Sequence, residues 1–191
     1  MSDASTPAPA GAAPAALVAP KWKVFLAAFA VVLAADQATK QAVIERFAYG
    51  ERLRLVDGLL DLTHVRNPGG AFSFLAQLPP DLEWVRPLFF VGMAGLAIAL
   101  LLGFFARLPA EARFSALALG SVLGGALGNL LDRLRHGEVV DFIDVHLTAD
   151  YTWPTFNVAD SAIVVGVVLL LLETFLEGRA RGDEGASDAV D

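Results

Sequence analysis

Residues 88–106 run for 19 positions without one polar side chain. A helix needs about 20 apolar residues to cross the hydrocarbon of a bilayer. This stretch therefore sets the fold class before anything else is considered. Three more apolar segments accompany it, at about 22–47, 113–134 and 156–176. The composition agrees: 55% of the residues are hydrophobic and the mean hydropathy is +0.56, too oily for an ordinary soluble domain. The third segment is rich in Gly and Ala between Leu119 and Gly128. Small residues let helices approach closely in lipid, so that helix is expected at the centre of the bundle. The fold class is therefore an all-α membrane protein, a four-transmembrane-helix bundle.

The flanks of the spans suggest an orientation. Lys21 and Lys23 precede the first span, Arg107 and Arg113 bracket the second connection, and Arg179 and Arg181 follow the fourth. Four spans put all of these on one side, which the positive-inside rule makes cytoplasmic. Arg52, Arg54, Arg66, Arg133 and Arg135 fall on the other side and weaken the signal. The loop at about 48–83 is expected outside the membrane, as a small β/loop subdomain between helices 1 and 2. Its residues 53–66 alternate roughly around Asp57-Gly58, the mark of a short hairpin. A Phe-rich piece at 71–75 is expected on the membrane surface, closing over a ligand.

Residues 1–20 are Ala, Pro, Ser and Gly with no periodicity, and read as a disordered extension. The membrane domain spans 21–178, and 179–191 is expected to be a disordered acidic tail. That tail and the end of the fourth span supply much of the net charge of −7, so the charge does not indicate a nucleic-acid partner. There is no Cys, which excludes disulfides and a thiol nucleophile. His64, His136 and His146 form no recognised metal spacing, so no metal is assigned. Ser121 lacks the surroundings of a nucleophile elbow.

Acids beside such apolar sequence are expensive, and so are candidates for chemistry. Asp141 lies in a Val-Val-Asp-Phe-Ile run, and Asp160 lies at the start of the fourth span. Two carboxylates held close together share a proton, which provides an acid and a base in one site. Spacing alone leaves a plainer reading open, with Asp160 a helix cap and Asp141 a solvated loop acid. Asn157, three residues before Asp160, can bind a carbonyl or cap the helix. Asn129, Asp132 and Arg133 can clamp a substrate or end the third helix with ion pairs. Asp36 and Lys40, spaced i,i+4, read as a structural pair. Asn67 with Gly69 and Gly70 can align a peptide or form an ordinary turn.

Five stretches recur together in this order: Asp36-Gln37-Ala38-Thr39-Lys40, residues 67–73 from Asn67, residues 128–133 ending in Asp132-Arg133, residues 139–143 around Asp141, and residues 156–160 ending in Asp160. Set between four spans, they resemble the lipoprotein signal peptidases (signal peptidase II) of bacteria. The resemblance implies an aspartic endopeptidase of the inner membrane. It would cut diacylglyceryl-modified prolipoproteins just before the lipidated Cys, at the outer face. It also implies Asp141 and Asp160 as the catalytic pair, and Asn67, Asn129, Arg133 and Asn157 as substrate-binding. Asp36, Lys40, Gly69 and Asp132 support them, and Asp144 falls outside the matching position. Gly70 stands where the family usually has Ala. No cofactor is implied. The expected partners are prolipoprotein substrates and membrane lipid, with the chain a monomer. The rival reading is a small transporter or channel subunit using intramembrane acids.

Overall fold

The computed structural model describes residues 19–69, 78–148 and 151–187. The extension before residue 19 and the Phe-rich piece at 71–75 lie outside the described residues. The elements are α1 (Pro20–Arg46), β1 (Arg52–Val56), β2 (Leu60–Asn67), a 3-10 turn at Pro80–Leu82, α2 (Val85–Arg107), α3 (Arg113–His136), β3 (Val139–Val145) and α4 (Val158–Ser187). All four helices are long and apolar enough to cross a membrane. The spanning part of α4 ends at Glu177, but the helix continues to Ser187. The helix thus runs past residue 178, where the sequence reading set the end of the membrane domain. Glu177, Arg179, Ala180, Arg181 and Glu184 favour helix, and the apolar span before them supplies the nucleus.

α3 is the central helix and packs against α1, α2 and α4. Its glycines explain how. A Cβ on Gly120 would lie 2.5 Å from the carbonyl oxygen of Phe25, and one on Gly124 would lie 2.8 Å from that of Phe29. With Gly128, which faces Asp36, these residues repeat every fourth position along the side of α3 that meets α1. Gly125, on the side of α4, would set a Cβ 2.5 Å from the Ala159 carbonyl oxygen. Any larger side chain would push the helices apart, which is the small-residue packing expected in lipid.

At the far end of the bundle from the sheet, Phe25 stacks on Phe105 with ring centroids 4.3 Å apart, over Ala116, Leu119 and Leu123. Lys21 is buried there. Its Nζ donates to the carbonyls of Phe105 (3.1 Å) and Leu108 (2.6 Å), capping the C-terminus of α2.

At the opposite end the three strands form one antiparallel sheet in the order β1-β2-β3. The expected hairpin is β1–β2, turning through Gly58 at φ +67°. β3 was not expected as a strand, although its Val and Ile residues favour one. Gly137, at φ +76°, ends α3 and turns the chain directly into β3. The β2–β3 register shifts between Leu62 and Val65, so Thr63 and His64 together oppose Phe142. Asp61 opposes Asp144 and Val65 opposes Asp141. Asp141 and Asp144 are three apart in β3 and so point to opposite faces, while their partners are four apart in β2. The bulge reconciles the two parities. Phe156 then bridges to Ile143, with its N–H donating to the Ile143 carbonyl (3.1 Å) and its own carbonyl accepting from Ile143 N–H (2.8 Å). That bridge sets the start of α4 beside Asp141.

Candidate active site

Asp141, Asp160, Asn67, Asn129 and Arg133 line one cavity of about 330 Å³ between the sheet and the ends of α3 and α4. Val139, Ile163 and Val164 form its apolar wall, and Trp153, Pro154 and Thr155 its rim. Residues far apart in sequence thus meet around two carboxylates.

Asn157 holds the pair together. Its Oδ1 accepts the N–H of Asp160 at 2.9 Å, and Asp160 Oδ2 accepts the N–H of Asn157 at 3.3 Å. This is a reciprocal capping box at the first turn of α4, with Asp in the place usually taken by Glu. The same amide donates from Nδ2 to Asp141 Oδ1 at 2.8 Å and to the Val140 carbonyl at 3.3 Å. Asn157 is therefore both the expected cap and the link between the two acids. It is fully buried with both ends of its amide engaged. It positions the carboxylates.

Each acid has a second amide partner. Asn67 Nδ2 donates to Asp141 Oδ2 at 3.1 Å, and Asn129 Nδ2 donates to Asp160 Oδ1 at 2.8 Å. Asn67 in turn accepts the Gly69 N–H at 3.0 Å, and Arg133 donates to the Gly69 carbonyl at 3.2 Å. The Arg133 guanidinium also lies over the ring of Phe90, 4.9 Å from its centroid, tying α3 to α2. The loop from Asn67 to Gly69 is thus fixed from two sides. Burial pushes the Asp141 carboxyl up to about 7, and the nearby charge of Asp160 adds to the shift. The amides of Asn67 and Asn157 and the charge of Lys40 oppose it.

Behind the acids lies a second polar layer. Lys40 Nζ is 2.9 Å from Asp36 Oδ2, 2.9 Å from Asp132 Oδ2 and 2.8 Å from Asn129 Oδ1. All four side chains are buried. The i,i+4 pair of Asp36 and Lys40 is therefore structural, as the spacing suggested, but it reaches further than its own helix. Asp36 Oδ1 accepts the Ala159 N–H at 3.0 Å, next to Asp160. Asp132 Oδ2 accepts the Val140 N–H at 3.2 Å, next to Asp141. Each buried carboxylate pins the backbone beside one cavity acid, and Lys40 holds the asparagine that touches Asp160.

Gln37 was not singled out from the sequence. Its Nε2 donates to Asp132 Oδ1 (3.1 Å) and the Gly128 carbonyl (3.3 Å), and its Oε1 accepts from Arg135 at 2.7 Å. Its position one residue after Asp36 in the first motif was the only available signal. Asp144 points away from the cavity and pairs with Arg52 at 3.0 Å, in keeping with its exclusion from the matching positions.

Known proteins resemble this chain over most of its length. A family model described as signal peptidase (SPase) II matches residues 28–176. The lipoprotein signal peptidase of Geobacter metallireducens is 40% identical over 86% of this chain and 98% of its own length. That of Ralstonia nicotianae is 45% identical over 72% of this chain and 76% of its own length. A solved structure of a bacterial membrane enzyme superposes with a TM-score of 0.71 at 28% identity, covering 82% of this chain and 90% of that one. A second such structure gives 0.68 at 29% identity, covering 80% and 92%.

Proposed function

The chain belongs to the signal peptidase II family, and on that premise we propose that it removes signal peptides from prolipoproteins as an aspartic endopeptidase, with Asp141 and Asp160 as the catalytic pair. The observation that carries this reading is the shared cavity. Two carboxylates line it, and one buried amide, that of Asn157, bonds to both residues.

The chemistry follows from the arrangement. The reaction needs one proton on the pair, and the Asp141 carboxyl, pushed up to about 7, is the one placed to carry it in this scheme. A water between the carboxylates gives a proton to Asp160 as its oxygen attacks the scissile carbonyl carbon. Asp141 donates its proton to the carbonyl oxygen, and a tetrahedral diol forms. The C–N bond then breaks. The amine leaves with the proton from Asp160, and the carbonyl re-forms as a hydroxyl proton returns to Asp141. Asn67 and Asn157 keep Asp141 oriented through both oxygens, and Asn129 does the same for Asp160 Oδ1. Asn67, Asn129 and Arg133 are the side chains that meet the peptide, since they line the cavity while Asn157 does not.

Depth in the membrane fits a lipidated substrate. The stretch of α4 apolar enough to span a membrane begins at Val158, and Asp160 lies in its first turn, which supports a position near the rim of the bilayer. A diacylglyceryl group on the Cys after the cut keeps its chains in the lipid and presents the peptide bond at that level. Lys21, Arg107 and Arg113 cluster at the other end, where the Lys21 N–H bonds the Ala110 carbonyl at 3.0 Å. The positive-inside rule makes that end cytoplasmic and puts the sheet and the pair at the outer face of the inner membrane. The relatives described above are peptidases, and none is a transporter or channel subunit.

The test is a gel-shift cleavage assay with a diacylglyceryl-modified prolipoprotein and purified protein. Wild type should convert the precursor, whereas D141N and D160N should leave it intact. Wild-type turnover by either variant sinks the assignment.

A further inference from the structure

On the face of β3 opposite Asp141 lies a second polar cluster, which the peptidase reading does not use. Asp61 and Asp144 stand directly across from each other in the β2–β3 register, 5% and 2% exposed. Two buried carboxylates side by side need compensating charge. Among the described residues Arg52 is the one Lys or Arg paired with both of them, and it fits imperfectly. Its guanidinium is 3.0 Å from Asp144 Oδ2 but 3.5 Å from Asp61 Oδ2, and its side chain is 52% exposed. Asp144 Oδ1 is buried with no hydrogen-bond partner among the described residues.

His146 completes the cluster. Its Nε2 lies 3.2 Å from Asp61 Oδ2 and 3.9 Å from Asp144 Oδ2. Its Nδ1 is 3.1 Å from Thr152 Oγ1, and its backbone N–H donates to the Leu59 carbonyl at 2.8 Å. The ring is thus held from behind with Nε2 aimed at the carboxylates, which is how metal-ligating imidazoles are oriented. Each of the three side chains offers a ligand atom within 4.8 Å of the others. Ligands at about 2.0–2.1 Å around a tetrahedral ion lie about 3.3 Å from one another. The 3.2 Å separation already has that value, and the 3.9 Å one needs only a small rotation. A cavity of about 380 Å³, lined by Asp61 and His146 with Arg52, Arg54 and Gly58, opens those two ligands to solvent, and Asp144 lies behind them.

We propose that Asp61, Asp144 and His146 form a site for a divalent transition-metal ion, with Arg52 occupying its place until the ion binds. One imidazole and two carboxylates suit a borderline ion such as Zn²⁺ better than Mg²⁺. The ion would tie the β1–β2 hairpin to β3, the strand that carries Asp141 on its other face. The sequence hid this site because two ligands come from two strands and the third from the residue just after β3, and they follow no metal-binding spacing.

The experiment titrates ZnCl₂, with MgCl₂ as comparison, into the full-length protein in detergent by calorimetry and thermal unfolding. One Zn²⁺ per chain should bind and raise the Tm, with Mg²⁺ at least tenfold weaker. D144N and H146Q should each weaken Zn²⁺ binding at least tenfold, while D141N leaves it unchanged, which separates this site from the cavity acids. R52Q removes an exposed competitor and should bind Zn²⁺ at least threefold more tightly. A purely structural ion pair would not give that outcome. The proposal is overturned by absent saturable binding, by binding that persists in D144N and H146Q, or by R52Q binding no more tightly than wild type.

Discussion

Two groups of carboxylates meet at the same end of the bundle, all buried except the half-buried Asp160, and they are held in opposite ways. Asp36 and Asp132 share a buried lysine, Lys40, at 2.9 Å from each. Asp141 and Asp160 are held by amides: Asn67 and Asn157 on one, Asn129 and the backbone of Asn157 on the other. A lysine in contact compensates the charge of a buried carboxylate. An amide orients a carboxylate and leaves its charge uncompensated, so burial and a neighbouring acid can raise its affinity for protons. On the proposed function the first group is framework and the second is reactive, although sequence spacing makes all four look alike. Lys40 spans the boundary, since its third contact, Asn129 at 2.8 Å, is the residue that holds Asp160.

The largest effect should come from the amide-held acids. D141N or D160N should lower precursor cleavage by about 10³-fold or more, because each removes a proton-transfer group. Thermal unfolding in detergent should show the fold retained. Cleavage that survives while stability collapses would invert the comparison. Next comes the lysine-held pair. K40M leaves two buried carboxylates with no cation in contact, which should cost about 3–5 kcal/mol. The variant should unfold well below wild type. Adding D36N and D132N should restore much of the lost stability, since no buried charge then remains unpaired. If K40M unfolds like wild type, Lys40 is not what balances these acids.

Much of this was legible in the sequence, and the rest was hidden for physical reasons. Four apolar runs, a central Gly-rich helix and a hairpin at Asp57-Gly58 follow from local pattern, and each is found in the fold. β3 escaped because Val139–Val145 reads equally as buried strand or apolar loop until β2 is set beside it. The bulge at Thr63 and His64 was invisible for the same reason, and with it the fact that Asp141 and Asp144 face opposite ways. Asn157 looked like a cap or a ligand. That it caps α4 and bonds Asp141 as well depends on the Phe156–Ile143 bridge, a contact between segments that no spacing encodes. Asp36 and Lys40 announced themselves as a helix pair. Their reach to Ala159 and Asn129 is tertiary.

A smaller effect tests whether orientation by amides matters as much as the acids themselves. N157A removes the donor to Asp141 Oδ1 and the cap on Asp160 N–H. Cleavage should fall about 10- to 100-fold in kcat, with KM little changed, because Asn157 does not line the cavity. Losing a donor to the ionised form of Asp141, the proton donor, should also move the alkaline limb of the pH profile upward. A purely structural role would lower activity without moving that limb. A change confined to KM would mean that Asn157 meets substrate after all.

The smallest effect separates the two groups by stability rather than by activity. Asp141 holds its proton up to about pH 7 in the folded chain, against an ordinary value of 3.8. Between those limits the folded state binds more protons than the unfolded one, so stability falls as pH rises through the window and levels off above it. D141N has no such group. Its Tm should match wild type near pH 4 and exceed it by several degrees at pH 8, the opposite of what a structural ion pair would give. Parallel unfolding curves for the two proteins across that range would mean that the Asp141 carboxyl is not raised. The contrast between lysine-held and amide-held acids would then lose its energetic basis.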